Sequence, residues 1–245
     1  MEYIIKLKNV YVSYLQSRKG VHSIKDFILK ASFISPFQKN RVLHNIDIEI
    51  FKGESVGILG PNGSGKSTLL RTIAGIVKPD KGWVNVRVPV SPLLTLGAGI
   101  EMELTGYENI KIALALGGNY HKRTREEMMS KVAEFAELSH EQLRKPTKMY
   151  STGMLARLAF GSVMMAQPDL LMIDEVLAVG DKGFQKKCML RIQEILGQGA
   201  TLLFVSHSPS EVMEICQRGI CLKDGKLIFD GKTSEAVKIY NDMFK

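Results

Sequence analysis

The sequence has little cysteine and no long apolar run, and each absence excludes a class of protein. The three cysteines, Cys188, Cys216 and Cys221, have no metal-ligand spacing, so we expect reduced thiols rather than a zinc site. No stretch approaches the ~18 uninterrupted apolar residues of a membrane span. The first residues lack the apolar centre of a secretory signal, which predicts that the chain stays in the cytosol.

Low-complexity segments and internal repeats are also absent. The length of 245 residues and the apolar content of 45% predict one compact α/β domain with a full core. The formal net charge of +8 suits an anionic partner such as nucleic acid or a membrane surface. The basic residues are dispersed, however, and acidic neighbours balance the densest patch at 122–125, which favours an ordinary solvated surface.

One glycine-rich stretch fits G-x-x-x-x-G-K-[ST], the phosphate-binding P-loop. Its residues are Gly60, Pro61, Asn62, Gly63, Ser64, Gly65, Lys66, Ser67 and Thr68. The apolar run 55–59 predicts a buried strand before it, and 69–74 predicts a helix after it. Glycines let backbone N–H groups turn toward one anion, and the helix N-terminus adds its positive dipole end.

The P-loop predicts a bound nucleoside triphosphate. Lys66 is expected to reach the β- and γ-phosphates, and the Ser67 hydroxyl to ligate Mg²⁺. The rival dinucleotide fingerprint fails, because Thr68 stands where that pattern needs glycine or alanine. A single P-loop predicts one nucleotide-binding unit in the chain.

The remaining pattern predicts an α/β P-loop fold with a mostly parallel core sheet. Residues 3–14 and 42–51 alternate as antiparallel strands do, and 15–40 predict a long loop with a short helix near 24–31. Residues 83–96 predict short extended pieces interrupted by Pro89 and Pro92. The dipeptide Asp224-Gly225, between two apolar runs, predicts a β-hairpin.

The domain organisation follows from a change of character near residue 97. Residues 97–167 predict an inserted helical subdomain, whose last helix is capped by Ser151. Residues 1–96 and 168–245 are expected to form the core, together with an N-terminal antiparallel β-subdomain.

Chemistry is predicted where buried strands end. The apolar run from 169 ends in Asp174 and Glu175. Asp174 is expected to help hold Mg²⁺, directly or through water, and Glu175 to polarise a water in line with the γ-phosphate. His207 follows the apolar run 201–206 and is expected at the same sheet edge, where it would hydrogen-bond the γ-phosphate.

Four segments resemble, in order and spacing, the ATPase subunits of ABC transporters. They are 60–68, 150–154, 170–175 and 205–207. The resemblance covers essentially the whole chain, which it makes a nucleotide-binding domain for ATP and Mg²⁺. It implies a homodimer that sandwiches ATP and docks on a dimeric transmembrane permease.

The resemblance also implies roles for single residues. Ser151, Gly153 and Met154 match the signature that contacts the γ-phosphate held by the P-loop of a second subunit. Asp181 matches the dimer-contact D-loop, and His207 matches the switch histidine. Tyr14 resembles the aromatic residue that stacks on adenine, with the nearby Tyr11 as the alternative.

Two departures from the family pattern are informative. The signature reads Tyr-Ser-Thr-Gly-Met at 150–154 instead of Leu-Ser-Gly-Gly-Gln. No glutamine occurs between Lys39 and Gln142, so the usual Q-loop glutamine, expected near Leu96, is missing. Glu101 and Ser91 are the candidates to replace it.

With the insertion at 15–40, both departures resemble the branch that exports lipid-linked polysaccharides such as O antigen, capsule and teichoic acid. That branch implies a peripheral place on the cytoplasmic face of a bacterial inner membrane. Some O-antigen members carry a C-terminal carbohydrate-binding domain, and a chain that stops at Lys245 predicts a member without it or a shortened form.

Two other functions compete with polysaccharide export. An importer or multidrug ATPase of the same fold is disfavoured by the missing glutamine and by the signature. A soluble ABC ATPase acting on nucleic acid is disfavoured because a second P-loop, coiled-coil insertions and a basic patch interleaved with aromatic residues are all absent. We therefore expect no nucleic-acid partner.

Overall fold

Two β-sheets and their flanking helices make up the described part of the chain. The computed structural model describes residues 2–17, 37–93, 99–116, 125–174 and 181–244. The strands are β1 (Tyr3–Ser17), β2 (Phe37–Phe51), β3 (Ser55–Leu59), β4 (Lys81–Val86), β5 (Val90–Leu93), β6 (Leu170–Asp174), β7 (Thr201–Val205), β8 (Arg218–Lys223) and β9 (Lys226–Lys232). The α-helices are α1 (Lys66–Ile73), α2 (Gly106–Leu116), α3 (Arg125–Ala136), α4 (His140–Leu143), α5 (Thr152–Met165), α6 (Lys182–Gly197), α7 (Pro209–Ile215) and α8 (Thr233–Asp242). A short 3₁₀-helix covers Thr147–Met149.

The first sheet is antiparallel, with the strand order β2-β1-β4. Its two long strands correct the two ends of the loop predicted at 15–40, because Leu15 pairs with Lys39 and Gln16 pairs with Gln38; residues 18–36 lie outside the described residues. At these strand ends the backbones are paired while the side chains are exposed. The sequence there therefore shows no apolar alternation from which a strand could be predicted. The short helix predicted near 24–31 lies outside the described residues.

The second sheet has the order β5-β6-β7-β3-β8-β9 and is parallel except for the β8–β9 hairpin. This arrangement confirms the predicted α/β P-loop fold. Pro92 was predicted to interrupt an extended piece, but it lies within β5 and is paired with Met172. An edge strand tolerates proline, because one side of its backbone has no ladder partner to satisfy.

The central strands β3 and β7 are buried along their whole length, and β6 is buried up to its last residue. Helices cover both faces of a parallel sheet, which explains why these strands are continuous apolar runs. A separate buried cluster holds α2–α5 together and includes Ile110, Val132 and Leu158. In the described ranges, no helix is both long and apolar enough to cross a membrane.

All three cysteines are free and buried. Burial raises the pKa of the Cys188 and Cys216 thiols to about 12 and that of Cys221 to about 11. Each thiol is therefore almost entirely protonated at neutral pH. It is poorly reactive, because the thiolate is the form that reacts.

The turn of the β8–β9 hairpin joins the two sheets to the P-loop. Asp224 and Gly225 have φ angles of 49° and 72°, as the predicted tight hairpin requires. The Gly225 carbonyl accepts a hydrogen bond from the His44 N–H at 2.8 Å, and its N–H donates to the Ser64 carbonyl at 3.1 Å. A Cβ atom at Gly225 would lie 2.1 Å from the Val42 carbonyl oxygen, so only glycine fits.

Replacing this glycine tests the contact. Gly225→Ala adds a backbone clash to the strain of about 1–2 kcal/mol that an L-residue meets in the left-handed region. Gly199→Ala is the matched control, because Gly199 has a φ of +93° and open space around its missing Cβ. We expect thermal unfolding to show a fall in Tm for Gly225→Ala at least twice that for Gly199→Ala. Each kcal/mol of lost stability lowers Tm by roughly 2–4 °C. Equal falls would contradict the clash.

Candidate nucleotide-binding site

The P-loop connects buried β3 to the first turn of α1 and is packed from behind by β2. Gly65 precedes the helix with a φ of +102°, and a Cβ atom there would lie 2.7 Å from Leu43 Cδ2. Both the backbone conformation and the close approach of β2 therefore require glycine. This packing presents the N-terminal N–H groups of α1 to the loop, where an anion is favoured.

Lys66 is folded over the loop that it follows. Its side chain is buried, with 6% of the residue exposed, and Nζ donates to the Gly60 carbonyl at 2.7 Å and the Pro61 carbonyl at 3.2 Å. Beside it, Ser64 Oγ is buried without a hydrogen-bond partner among the described residues. A buried ammonium and an unused hydroxyl in one loop fit a phosphate group.

The sheet brings the other predicted groups to the same edge. Ile58 and Asp174 both pair with Val205, so Gly60, Asp174 and Ser206 all lie at the carboxyl ends of adjacent parallel strands. This edge is where ligands bind in open α/β sheets. Glu175 lies outside the described residues, so its predicted role as catalytic base stays a prediction.

The metal ligands expected from the sequence are Ser67 in α1 and Asp174 at the end of β6, and α1 packs against β6. Among the described residues, no cluster of three or more His, Cys, Asp or Glu side chains is arranged to hold a metal ion. One carboxylate and one hydroxyl are hard oxygen donors, and Mg²⁺ is commonly held by one or two carboxylates plus substrate phosphates. The donor set therefore fits Mg²⁺ that arrives with a nucleotide.

His207 is exposed just after the end of β7, between Ser206 and Ser208, and both of these neighbours are hydrogen-bonded. Ser206 Oγ donates to Glu211 Oε2 at 2.7 Å and accepts from the Ser208 N–H at 3.0 Å. Ser208 also caps α7, with Pro209 in its first turn. The sequence signals this support through Ser-Pro-x-Glu at 208–211, which is a helix-start pattern.

Ser151 begins α5, as predicted, and its hydroxyl accepts a hydrogen bond from the Met154 N–H at 3.2 Å. Gly153 lies in open space, since a Cβ there would meet only Ser151 Oγ, at 3.9 Å. The unusual Tyr150 is buried, which raises its pKa, and its hydroxyl donates to the Gln142 carbonyl at 2.7 Å. The Tyr150 hydroxyl thus anchors the signature segment to α4. The leucine that usually stands at this position has no group that could make this hydrogen bond.

The signature segment and the P-loop are carried by different elements. Helix α5 packs against α2, α3, α6 and β5, whereas α1 packs against β2, β4, β6 and β7. Asp181 caps α6 by accepting the Phe184 N–H at 3.0 Å. This hydrogen bond, with the nearby Arg157, holds the pKa of the Asp181 carboxyl below its usual range.

The two tyrosines proposed for adenine stacking differ in exposure. Tyr14 is 36% exposed on the part of β1 that pairs with Asn40. The Tyr11 ring is covered by the guanidinium of Arg41, 5.3 Å from its centroid. The greater exposure of Tyr14, and the guanidinium over the Tyr11 ring, favour Tyr14 for this role.

The two candidates to replace the missing glutamine, Ser91 and Glu101, lie in different parts of the fold. The position near Leu96, where the glutamine is expected, is outside the described residues. Ser91 pairs with Leu171, which lies about 10 Å along the strand from the edge marked by Asp174. The Glu101 N–H donates to Asn109 Oδ1 at 2.7 Å, and its carbonyl accepts from Thr147 Oγ1 at 2.9 Å. Ser91 is thus too far down the sheet for the metal, and the Glu101 backbone belongs to the helical cluster.

The family described as "ABC transporter" matches residues 43–178 of this chain. The match spans the P-loop, the signature segment and the end of β6. The chain therefore belongs to the ABC transporter family, as its ATP-hydrolysing, ATP-binding subunit.

Two relatives are similar over the whole chain. The O-antigen export system ATP-binding protein RfbB of Klebsiella pneumoniae is 39% identical over 243 residues, which are 98% of this chain and 98% of that protein. The teichoic acids export ATP-binding protein TagH of Bacillus anthracis is 36% identical over 245 residues, covering 100% of this chain but 44% of TagH.

Solved structures of ATP-binding cassettes share the fold. A dimeric cassette in a post-hydrolysis state with ADP and Pi has a TM-score of 0.74 at 23% identity, covering 94% of this chain and 98% of that one. The cbiO1 protein of Clostridium perfringens has a TM-score of 0.68 at 21% identity, covering 99% and 93%.

Removing the P-loop ammonium tests the phosphate site. Lys66→Ala loses a charge-assisted contact of about 1.5–3 kcal/mol, so we expect ATP affinity to fall roughly 10- to 100-fold in a fluorescent-nucleotide titration. Lys78→Ala removes an exposed lysine beyond the same helix and should leave the affinity unchanged. Unaltered ATP binding by Lys66→Ala would exclude this lysine from the site.

Proposed function

We propose that this chain is the ATPase subunit of an ABC exporter that moves a lipid-linked polysaccharide of the O-antigen type across a bacterial inner membrane. The observation that carries the proposal is 39% identity over 98% of both chains to an O-antigen export ATP-binding protein. Similarity to a teichoic acids export ATP-binding protein supports export as the direction of transport. The Tyr-Ser-Thr-Gly-Met signature agrees with that branch.

In this proposal, two copies of the chain sandwich two ATP molecules. The P-loop and Lys66 of one copy hold the phosphates, and Ser151, Gly153 and Met154 of the other contact the same γ-phosphate. ATP makes both sets of contacts only in the closed pair, so its binding favours closure. The half-buried position of Gly153 at the start of α5 supports this role, since among the described residues a Cβ atom there would meet only Ser151 Oγ, at 3.9 Å.

Hydrolysis then reopens the pair. Mg²⁺, held by Ser67 and Asp174, would neutralise charge on the phosphates. Glu175 accepts a proton from the attacking water, and His207 hydrogen-bonds the γ-phosphate from the end of β7. Tyr14 stacks on adenine, and Asp181 faces the second copy.

The opening and closing drive a dimeric transmembrane permease, which places the chain at the cytoplasmic face of the membrane. The division into a core (1–96 and 168–245) and a helical subdomain (97–167) belongs to the same proposal. The separate buried cluster of α2–α5 supports it.

Fractionation after co-expression tests the partner. With its permease, the chain should move to the membrane fraction and withstand a salt wash; without it, the chain should stay in the supernatant. Salt-sensitive retention on DNA or RNA instead would favour the nucleic-acid alternative.

The Glu175→Gln variant tests the catalytic role. It removes the base but no phosphate contact, so it should retain ATP, form a stable dimer and turn over at least about 100-fold more slowly. Light scattering after size exclusion, with and without Mg-ATP, measures the dimer, and phosphate release measures turnover. Wild-type hydrolysis would remove Glu175 from catalysis, and a monomer at saturating ATP would argue against the sandwich.

The Ser151→Ala variant tests the signature contact against a matched helix cap. Ser139 caps α4 in the same way, so Ser139→Ala and Ser151→Ala should each lose about 1 kcal/mol of stability. Only Ser151→Ala is expected to lose ATP-dependent dimerisation, measured in the Glu175→Gln background. Equal dimerisation of the two variants would show that Ser151 is a cap and nothing more.

A further inference from the structure

The turn that carries His207 is closed by the hydroxyl group of the residue before it. Ser206 is buried, with 6% of the residue exposed, whereas His207 is exposed. Ser206 Oγ accepts a hydrogen bond at 3.0 Å from the Ser208 N–H, two residues on, which closes a turn around His207. The same hydroxyl donates to Glu211 Oε2 at 2.7 Å. One buried hydroxyl therefore joins the end of β7 to the first turn of α7.

This arrangement differs from the usual capping box, in which a glutamate at the third helical position accepts directly from the N-cap N–H. The start of α2 shows that usual form, because Glu108 Oε2 accepts from the Thr105 N–H at 2.8 Å. At the start of α7, the Ser206 hydroxyl lies between the Ser208 N–H and the Glu211 carboxylate. Glu211 therefore holds the residue before the turn in addition to the helix start.

Helix α7 is fixed against the strand that leads into the P-loop. Val212 is fully buried, and a Cβ atom on Gly57 of β3 would lie 2.3 Å from Val212 Cγ1. Gly57 lies three residues before the P-loop begins. Strand β7 is hydrogen-bonded to the same strand, and Val205 at its end pairs with Ile58. The turn with His207 therefore lies between two elements that are both packed on β3.

The bond from Ser206 to Glu211 is the stronger of the two that hold this turn. Its acceptor is a carboxylate oxygen on a half-buried side chain, and hydrogen bonds to charged groups are roughly twice as strong as neutral ones. The position of the histidine backbone matters for catalysis, because a misplacement of about 1 Å can cost as much as a hundredfold in rate. A residue that fixes the turn can therefore affect the reaction without touching the nucleotide.

We propose that Glu211 is a positioning residue for His207 in ATP hydrolysis. Its carboxylate holds Ser206 Oγ, this hydroxyl closes the turn, and the turn presents the His207 imidazole to the γ-phosphate. Because α7 and β7 both pack on β3, the imidazole is placed relative to the P-loop that holds the same phosphate. This inference rests on the proposed function, in which His207 hydrogen-bonds the γ-phosphate.

Replacing the carboxylate tests the link. In Glu211→Ala, we expect kcat for ATP hydrolysis to fall roughly 5- to 20-fold, in the range for losing a hydrogen bond to a charged group. The KM for ATP should change less than about twofold, because the P-loop contacts are unaltered. In Glu211→Gln the amide oxygen still accepts from the Ser206 hydroxyl, so this variant should recover most of kcat. Phosphate release at varied ATP concentration measures both constants.

Glu108→Ala is the matched control for the loss of a carboxylate at a helix start. Glu108 Oε2 accepts from the Thr105 N–H at 2.8 Å and from Thr105 Oγ1 at 2.7 Å, but α2 carries no residue of the predicted phosphate site. Both alanine variants should lower Tm, and only Glu211→Ala should lower kcat. Equal kcat values for the two variants would reduce Glu211 to a helix-capping residue and overturn the inference.

The imidazole signal of His207 reports its position directly. The chain has five histidines, so NMR of histidine-labelled protein gives few signals, and the spectrum of His207→Gln identifies the one to follow. In the Glu175→Gln background, Mg-ATP should shift this signal. With Glu211→Ala added, ATP should still bind but the shift should be largely lost. A shift of unchanged size would contradict the inference, since His207 would then reach the phosphate without Glu211.

A double-mutant cycle separates failure of the inference from failure of the proposed function. If Glu211 acts through His207, Glu211→Ala should have little further effect on kcat in a His207→Ala background. Additive losses would overturn the inference, because Glu211 would then act independently of the histidine. Wild-type hydrolysis by His207→Ala alone would instead overturn the role of His207 in the proposed function.

Discussion

The nucleotide site depends on a glycine turn at the far end of the chain that meets the P-loop backbone. Gly225 donates to the Ser64 carbonyl and accepts from the His44 N–H, and Leu43 packs where Gly65 has no side chain. The P-loop is thus held by β2 from the antiparallel sheet and by the β8–β9 turn from the parallel sheet. Because the two sheets meet at this loop, a phosphate held there is positioned relative to both. Folding of the C-terminal hairpin is therefore a condition for an ordered phosphate site.

Much of this architecture could be predicted because its signals are local. The P-loop, the hairpin turn at Asp224-Gly225 and the cap at Ser151 are short patterns whose residue types directly constrain the backbone. The assignment of β4 and β5 to different sheets was not predictable in this way, because pairing partners lie far apart in the chain. The extension of β1 and β2 could not be predicted for a related reason: their exposed ends are held by backbone pairing and show no apolar alternation.

The site shows the same division between local and distant signals. Asp174 and His207 were placed at one edge by the rule that parallel strands end together, and the register bears out that placement. The contacts of Arg157 were invisible in the sequence, since an arginine on a helix is ordinarily a solvated residue. Its partners Glu137 and Asp181 belong to other segments, and only the packing of α3, α5 and α6 brings them together. Side chains that join segments distant in the sequence are therefore the ones that sequence patterns show least.

The burial of the three native thiols makes the chain well suited to optical labelling. Cys188, Cys216 and Cys221 are protonated and covered, so a maleimide dye would find no accessible thiolate among them in the folded state. One cysteine introduced at an exposed position would then carry the dye alone, without first replacing core residues. Energy transfer between dyes on two copies would then report whether the proposed dimer closes and opens during each turnover, in real time.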